Sequence, residues 1–447
     1  MTGSAADVTE RVLELVRSRA ADAEAEVTVG TGSDALTRFA NSFIHQNVAE
    51  EVSHLVVRIA LDGRVATTSF DGPPDNEALG RVVDSVLAAT RVRPPDPDWP
   101  GLAPVADVPD PGHWDDATAG ATPDDRAHRV ADFVVAAGGL ETAGACQSQA
   151  MTTAFANSAG QRAAGRSTAA DIDGIARTGT SDGSARITSV RLGDLDGRAA
   201  GERAARKARD GADPTDLAPG RYEVVLEPQC VADLLLFLFL YGFNGRAIEE
   251  GRSFVRLGEQ QFDPAITLRE DPVDPHQVGI GFDVEGTPKL PFELIRSGVT
   301  RGAVHTRRTA AKAGTESTGH AVEGGEGLGA LPTNPVLDAG ERSTQELIGS
   351  VDRGLLVTDF WYTRILDPRT QVVTGLTRNG VWLVEDGRIA RPVRNLRFTQ
   401  SYLEALAPGS VLGLSSERSL VSGGFGSASL VPALHLASWN FTGGAKG

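Results

Sequence analysis

The sequence predicts an α+β protein: N-terminal helix/antiparallel-sheet layers followed by a β-rich C-terminal domain. Three observations predict it. Glycine is abundant, 51 of 447 residues, while aromatic residues make up only 6%, which favours strands joined by tight turns. The first two hundred residues run twice through a helix–strands–helix order. Beyond residue 220 the helical signal thins to one strongly apolar segment and a few short turns among strand-like runs.

The first part spans 1–94. Val8, Val12, Leu15 and Val16 recur on one helical face, so 7–21 is expected to be helical. Residues 36–47 read as one strand that places Phe39, Asn41, Phe43 and His45 on a common face. A second strand, 51–61, carries Leu55, Val57, Ile59 and Leu61, and Asp62-Gly63 turns it into a third at 64–70. Leu79, Val82, Val83, Val86 and Leu87 then give a helix over 76–91. A proline-rich acidic linker follows. The second part, 112–212, is read as a helix at 124–137 capped by Gly138-Gly139, strands near 142–157, 160–177 and 184–192, and a helix at 194–209. A second linker leads to the third part, 221–447. It opens with a strand at 222–226 and the helix 231–241, Val-Ala-Asp-Leu-Leu-Leu-Phe-Leu-Phe-Leu-Tyr. A helix apolar on nearly every side is buried, either in its own core or against another chain. Ser343-Thr-Gln-Glu346 forms a capping box, Asp386-Gly387 a turn, and 319–329 a glycine-rich loop.

Charge bounds the function. The 43 basic and 59 acidic residues give a net charge of −16, so no nucleic-acid partner is expected. No segment approaches the ~20 apolar residues of a membrane span, so no membrane partner is expected either. Two cysteines, Cys146 and Cys230, make no disulfide framework. A cytoplasmic protein is the expectation.

Few motifs in the chain carry chemistry. The eight histidines include no pair three or four apart, and there is no C-x-x-C. Gly179-Thr-Ser-Asp-Gly183 matches the nucleophile-elbow pattern, but a strand-like run follows it, so a hairpin turn is expected. Asp283 and Glu285 would share a strand face as acid and base, or simply enter the turn at Gly286-Thr-Pro288.

Several segments, taken in order, resemble the TldD/PmbA family. They are Leu36-Thr-Arg-Phe-Ala-Asn-Ser-Phe-Ile-His-Gln-Asn47, Gly251-Arg-Ser-Phe254, Asp283-Val-Glu-Gly-Thr-Pro288, Thr309-Ala-Ala-Lys312 with Ser317-Thr-Gly319, Pro332-Thr-Asn334, Gly354-Leu-Leu-Val357, Thr374-Gly375 and Pro392-Val393. The resemblance implies two kinds of subunit in a heterodimer. The TldD-type subunit is a zinc metallopeptidase with H-E-x-x-x-H on a helix and a cysteine in C-G-K. The TldE/PmbA-type subunit lacks both. Here the window 236–241 reads Leu-Phe-Leu-Phe-Leu-Tyr, and the cysteine position falls near Ser422-Gly-Gly424. The resemblance therefore implies a subunit with no catalytic residue, no metal and no cofactor of its own, paired with a TldD-like zinc metallopeptidase subunit and handling peptide substrates. Asn41, His45, Arg252, Ser253 and Phe254 are the candidate peptide-groove or interface residues. Two alternatives stand beside this reading: an active peptidase with an atypical site, and a stand-alone homodimeric peptide-binding protein.

Overall fold

The computed structural model describes residues 4–325, 327–423 and 427–444. Chain order begins α1 (Ala5–Arg19), β1 (Glu24–Ala40), β2 (Phe43–Leu61), β3 (Arg64–Asp71), α2 (Asn76–Val92), α3 (Asp116–Ala119), α4 (Pro123–Ala136), β4 (Glu141–Asn157), β5 (Arg162–Arg177), β6 (Asp182–Ser189) and α5 (Gly197–Asp210). Each α1 end is fixed by local chemistry: a Ser4/Asp7 capping box opens it and Arg17 and Arg19 sit in its last turn.

The six strands form one antiparallel sheet in the order β3-β2-β1-β4-β5-β6. Both N-terminal parts thus share a sheet, joined where β1 runs along β4 from Glu26↔Asn157 to Phe39↔Gly144. One face is apolar. Val27, Val29, Leu55, Val57 and Ile59 pack under α1 and α2, while Phe39, Cys146 and Ile172 pack under α4 and α5.

The expected strand over 36–47 is instead a hairpin. Asn41 and Ser42 take positive φ (50° and 62°) between paired Ala40 and Phe43, the geometry of a two-residue primed turn. Apolar alternation runs straight across that turn, which is why the pattern looked continuous. The Asp62 turn matches expectation, with φ of 50° and 70° at Asp62 and Gly63.

The third part contains β7 (Gly220–Leu226) and α6 (Pro228–Tyr241), then a larger sheet. β7 pairs with strand Arg353–Asp367, which pairs with Val372–Glu385, then Leu396–Ser401, then Ala428–Gly444. Ala428–Gly444 returns to β7, so these five strands close on themselves. Val372–Glu385 is one long strand that holds Asn379 at φ 58°. Among the described residues, no helix is long and apolar enough to cross a membrane.

Candidate functional site

The α6 helix decides what this region can do. Pro228 begins it, where a missing N–H costs nothing. Cys230, Val231, Leu234, Leu235, Phe237, Leu238 and Phe239 are buried with Leu355, Val357, Phe360, Trp439 and Phe441 in one core. The helix is covered within its own chain. Cys230 lies inside it rather than ahead of it, its Sγ 3.7 Å from the Val357 carbonyl, and burial pushes the thiol well above its usual range.

Gln229, Ala232, Asp233 and Leu236, at i, i+3, i+4 and i+7, line a cleft of about 120 Å³. Leu331-Pro332-Thr333 forms one wall, and Val421, Ser422, Gly423, Ser427 and Ser429 form another. The expected cysteine position therefore does border the helix, but Ser422 stands there; Gly424 lies outside the described residues.

Asp233 is the ionisable group of this lining. Thr363 Oγ1 donates to it at 3.0 Å and the Tyr402 hydroxyl approaches at 3.5 Å. Burial pushes its carboxyl up to about 6 against those two hydrogen bonds, with Asp359 adding repulsion. A zinc site needs three or four imidazole, thiolate or carboxylate ligands. This cleft offers one carboxylate, and among the described residues no three His, Cys, Asp or Glu side chains converge as a metal would require. The residues do not fit a zinc ion.

A buried polar network holds the Leu331–Thr333 wall. Glu270 Oε1 accepts from the Thr333 and Asn334 amides at 2.9 and 2.6 Å and lies 3.1 Å from His320 Nε2. Lys289 Nζ donates to Thr333 Oγ1 at 2.7 Å, and burial pulls its ammonium below the usual lysine range.

Asp283 and Glu285 serve as a joint. Asp283 accepts from the Glu285, Thr287 and Ala321 amides at 2.9, 3.0 and 2.9 Å. Glu285 accepts from the Arg307 amide at 2.9 Å and lies 3.8 Å from Arg58, which pairs with Glu26 at 2.6 Å. Burial and the neighbouring Glu285 charge push Asp283 up to about 7; burial does the same to Glu26, opposed by Arg58. Directly after them Gly286, at φ 72°, lies where any Cβ would run into the Phe155 ring of β4. Ser181, of the elbow-like pattern, sits in the β5–β6 turn with its hydroxyl donated to the Ala208 carbonyl at 2.5 Å.

The candidate groove residues fall in two separate places, the β1–β2 hairpin of the six-stranded sheet and a loop beyond the end of α6. Asn41 forms the β1–β2 turn. His45 is the extra residue of a bulge, since Arg38 faces Gln46 and Phe39 faces Ile44. It lies exposed on the part of β2 that β3, paired only with 54–61, leaves uncovered. Arg252 is ion-paired with Glu250, Ser253 Oγ donates to the Gly242 carbonyl at 2.8 Å, and Phe254 packs edge-on against Phe243 and Phe262. Phe254 is thus core, and Ser253 ties down the end of α6. Of the cleft lining, Ser422 and Thr333 lie in segments the sequence already marked, whereas Asp233 was not singled out; a carboxylate within an all-apolar helix was the available signal.

Residues 219–443 match the family model described as PmbA/TldA metallopeptidase C-terminal domain. The chain is 27% identical over 226 residues to a metalloprotease of Methanothermobacter thermautotrophicus, covering 47% of this chain and 46% of that protein. It is 26% identical over 170 residues to a metalloprotease TldD homolog of Haemophilus influenzae, covering 37% and 34%. These matches span less than half the length of the curated relatives. In structure it is similar to TldE from Thermococcus kodakarensis, with a TM-score of 0.87 at 20% identity, covering 98% of this chain and 99% of that one. At that identity the likeness shows the fold.

Proposed function

This chain belongs to the PmbA/TldD metallopeptidase family, and from that membership we propose that it is a non-catalytic TldE/PmbA-type subunit, pairing with a TldD-like zinc metallopeptidase subunit in the proteolysis of unfolded or short peptides. One observation carries the reading. The helix bordering the cleft presents Gln229, Ala232, Asp233 and Leu236 to it, a set with a single metal-ligating group and no imidazole beside it. The likeness in fold to a TldE supports the same assignment. The atypical-peptidase alternative draws no support from Asp283 and Glu285, whose oxygens are held by main-chain amides. In this role the chain contributes walls to a peptide chamber, and Asn41, His45 and Arg252 are its proposed contact positions. The proposed compartment is the cytoplasm.

The test uses the full chain alone and co-expressed with a TldD-type paralogue that carries the zinc motif. The expected result is a mixed complex on size exclusion, with zinc and peptide cleavage only in the mixed complex. Stoichiometric zinc together with cleavage by the pure chain would overturn the non-catalytic assignment, and failure of any mixed complex to elute would overturn the partnership.

A further inference from the structure

Several buried carboxylates of the described residues have close partners. Glu26 pairs with Arg58, Asp359 with Arg186, and Glu270 with His320 and two amides. Asp283 holds three main-chain N–H groups. Asp233 differs: hydroxyls alone serve it, one at 3.0 Å and one at a long 3.5 Å, and no cation pairs with it among the described residues. Asp233 is half-buried; a carboxylate largely shielded from water and without a countercharge carries a cost that a cation arriving from the cleft would relieve.

The cleft beside Asp233 sets what that cation can be. Its volume of about 120 Å³ is several times the ~30 Å³ that a water molecule occupies in the liquid. Its lining is apolar at Ala232, Leu236, Phe239, Leu331 and Val421, with the hydroxyls of Ser422 and Ser429 beside them. An unbranched aliphatic stem suits such walls, in the way lysine methylenes lie along apolar surface. Thr363 already engages one carboxylate oxygen. A guanidinium wants both oxygens side by side, whereas an ammonium acts as a point charge and needs one.

The geometry points to a cation-accepting subsite: the α6 cleft takes a primary ammonium on an aliphatic stem, the side chain of a lysine in a bound peptide, with Asp233 as its counter-ion. The inference concerns this chain's own cleft and does not depend on pairing with a zinc-bearing subunit, so the purified chain alone tests it.

The probes are N-acetyl-lysine methylamide, the norleucine analogue that keeps the stem and drops the charge, and the arginine analogue. Binding is measured by calorimetry and by protein NMR. Saturable binding of the lysine probe is expected, with at least tenfold weaker binding of the other two. Asp233→Asn, folded by circular dichroism, should lose that preference. Ala232→Leu, which keeps the carboxylate and fills the cleft, should lose binding of all three. Equal binding of lysine and norleucine probes, an unchanged preference in Asp233→Asn, or no saturable binding by the wild-type chain would each overturn the subsite.

Discussion

Replacing Asp233 by Asn removes a charge and keeps the shape. The carboxyl sits at about 6 in the folded chain against an ordinary 3.8. A difference of about 2 units corresponds to roughly 3 kcal/mol between protonation states. The sign follows from linkage. An acid whose value is raised on folding binds its proton more tightly in the folded state. Its contribution is therefore fully present below pH 3.8 and is lost as pH rises through about 6. Above that, the ionised wild-type carboxylate weighs against folding. Asparagine keeps an oxygen to accept from Thr363, at a cost of about 1 kcal/mol for a weaker hydrogen bond. At pH 8 the variant should be the more stable by about 1–2 kcal/mol, and at pH 4 the two should be equal or the variant slightly weaker. Denaturant unfolding of both proteins between pH 4 and 8 measures this. A stability difference that does not vary with pH, or a variant clearly weaker at pH 8, would refute the argument that Asp233 is a shielded acid without a countercharge.

Three further outcomes are expected. Leu238→Ala, at a fully buried position of α6, should cost about 2–5 kcal/mol in denaturant unfolding through the cavity it leaves. Arg58→Met strips the countercharge from Glu26 and Glu285; it should cost about 3–5 kcal/mol at pH 8. That loss should shrink below pH 6, because Glu26, at about 7, is then protonated, and melting curves at the two pH values separate the cases. Asn41→Val should destabilise by about 1–2 kcal/mol because a β-branched residue resists the φ of 50° required there, whereas Asn41→Gly should be nearly neutral; thermal unfolding distinguishes them.

Much of the N-terminal half was legible because each element carries its own period. The 3.6-residue spacing of Val82, Val83, Val86 and Leu87 gives α2 within a residue of its end, and Asp62-Gly63 marks its hairpin directly. The Asn41-Ser42 turn was not legible, since it interrupts no alternation and contains no glycine. Long-range closure was beyond reach as well. Nothing local in Gly220–Leu226 says that it will lie between 353–367 and 428–444. The site shows the same division. The apolar character of α6 could be read and its burial anticipated, but that Asp233 faces Leu331-Pro332-Thr333 and Ser422 depends on segments about 100 and 190 residues away meeting it. The proline-rich linker was read as a loop, yet Asp96 within it pairs with Arg308, a contact across two hundred residues that composition does not reveal.

The contrast between the two sheets also has a kinetic consequence. In the six-stranded sheet most neighbours are adjacent in sequence, and only the β1–β4 seam joins distant stretches. Each triplet of strands can therefore assemble as soon as it leaves the ribosome. The closed five-strand ring cannot, because β7 waits for the strand that ends at Gly444. Loop closure of that span is slow. Until the 428–444 strand has been made, α6 is left without the Trp439 and Phe441 side chains that bury it. Truncation within 372–444 should thus send the nascent chain to chaperones and aggregation, while a fragment holding only the six-stranded sheet is expected to fold.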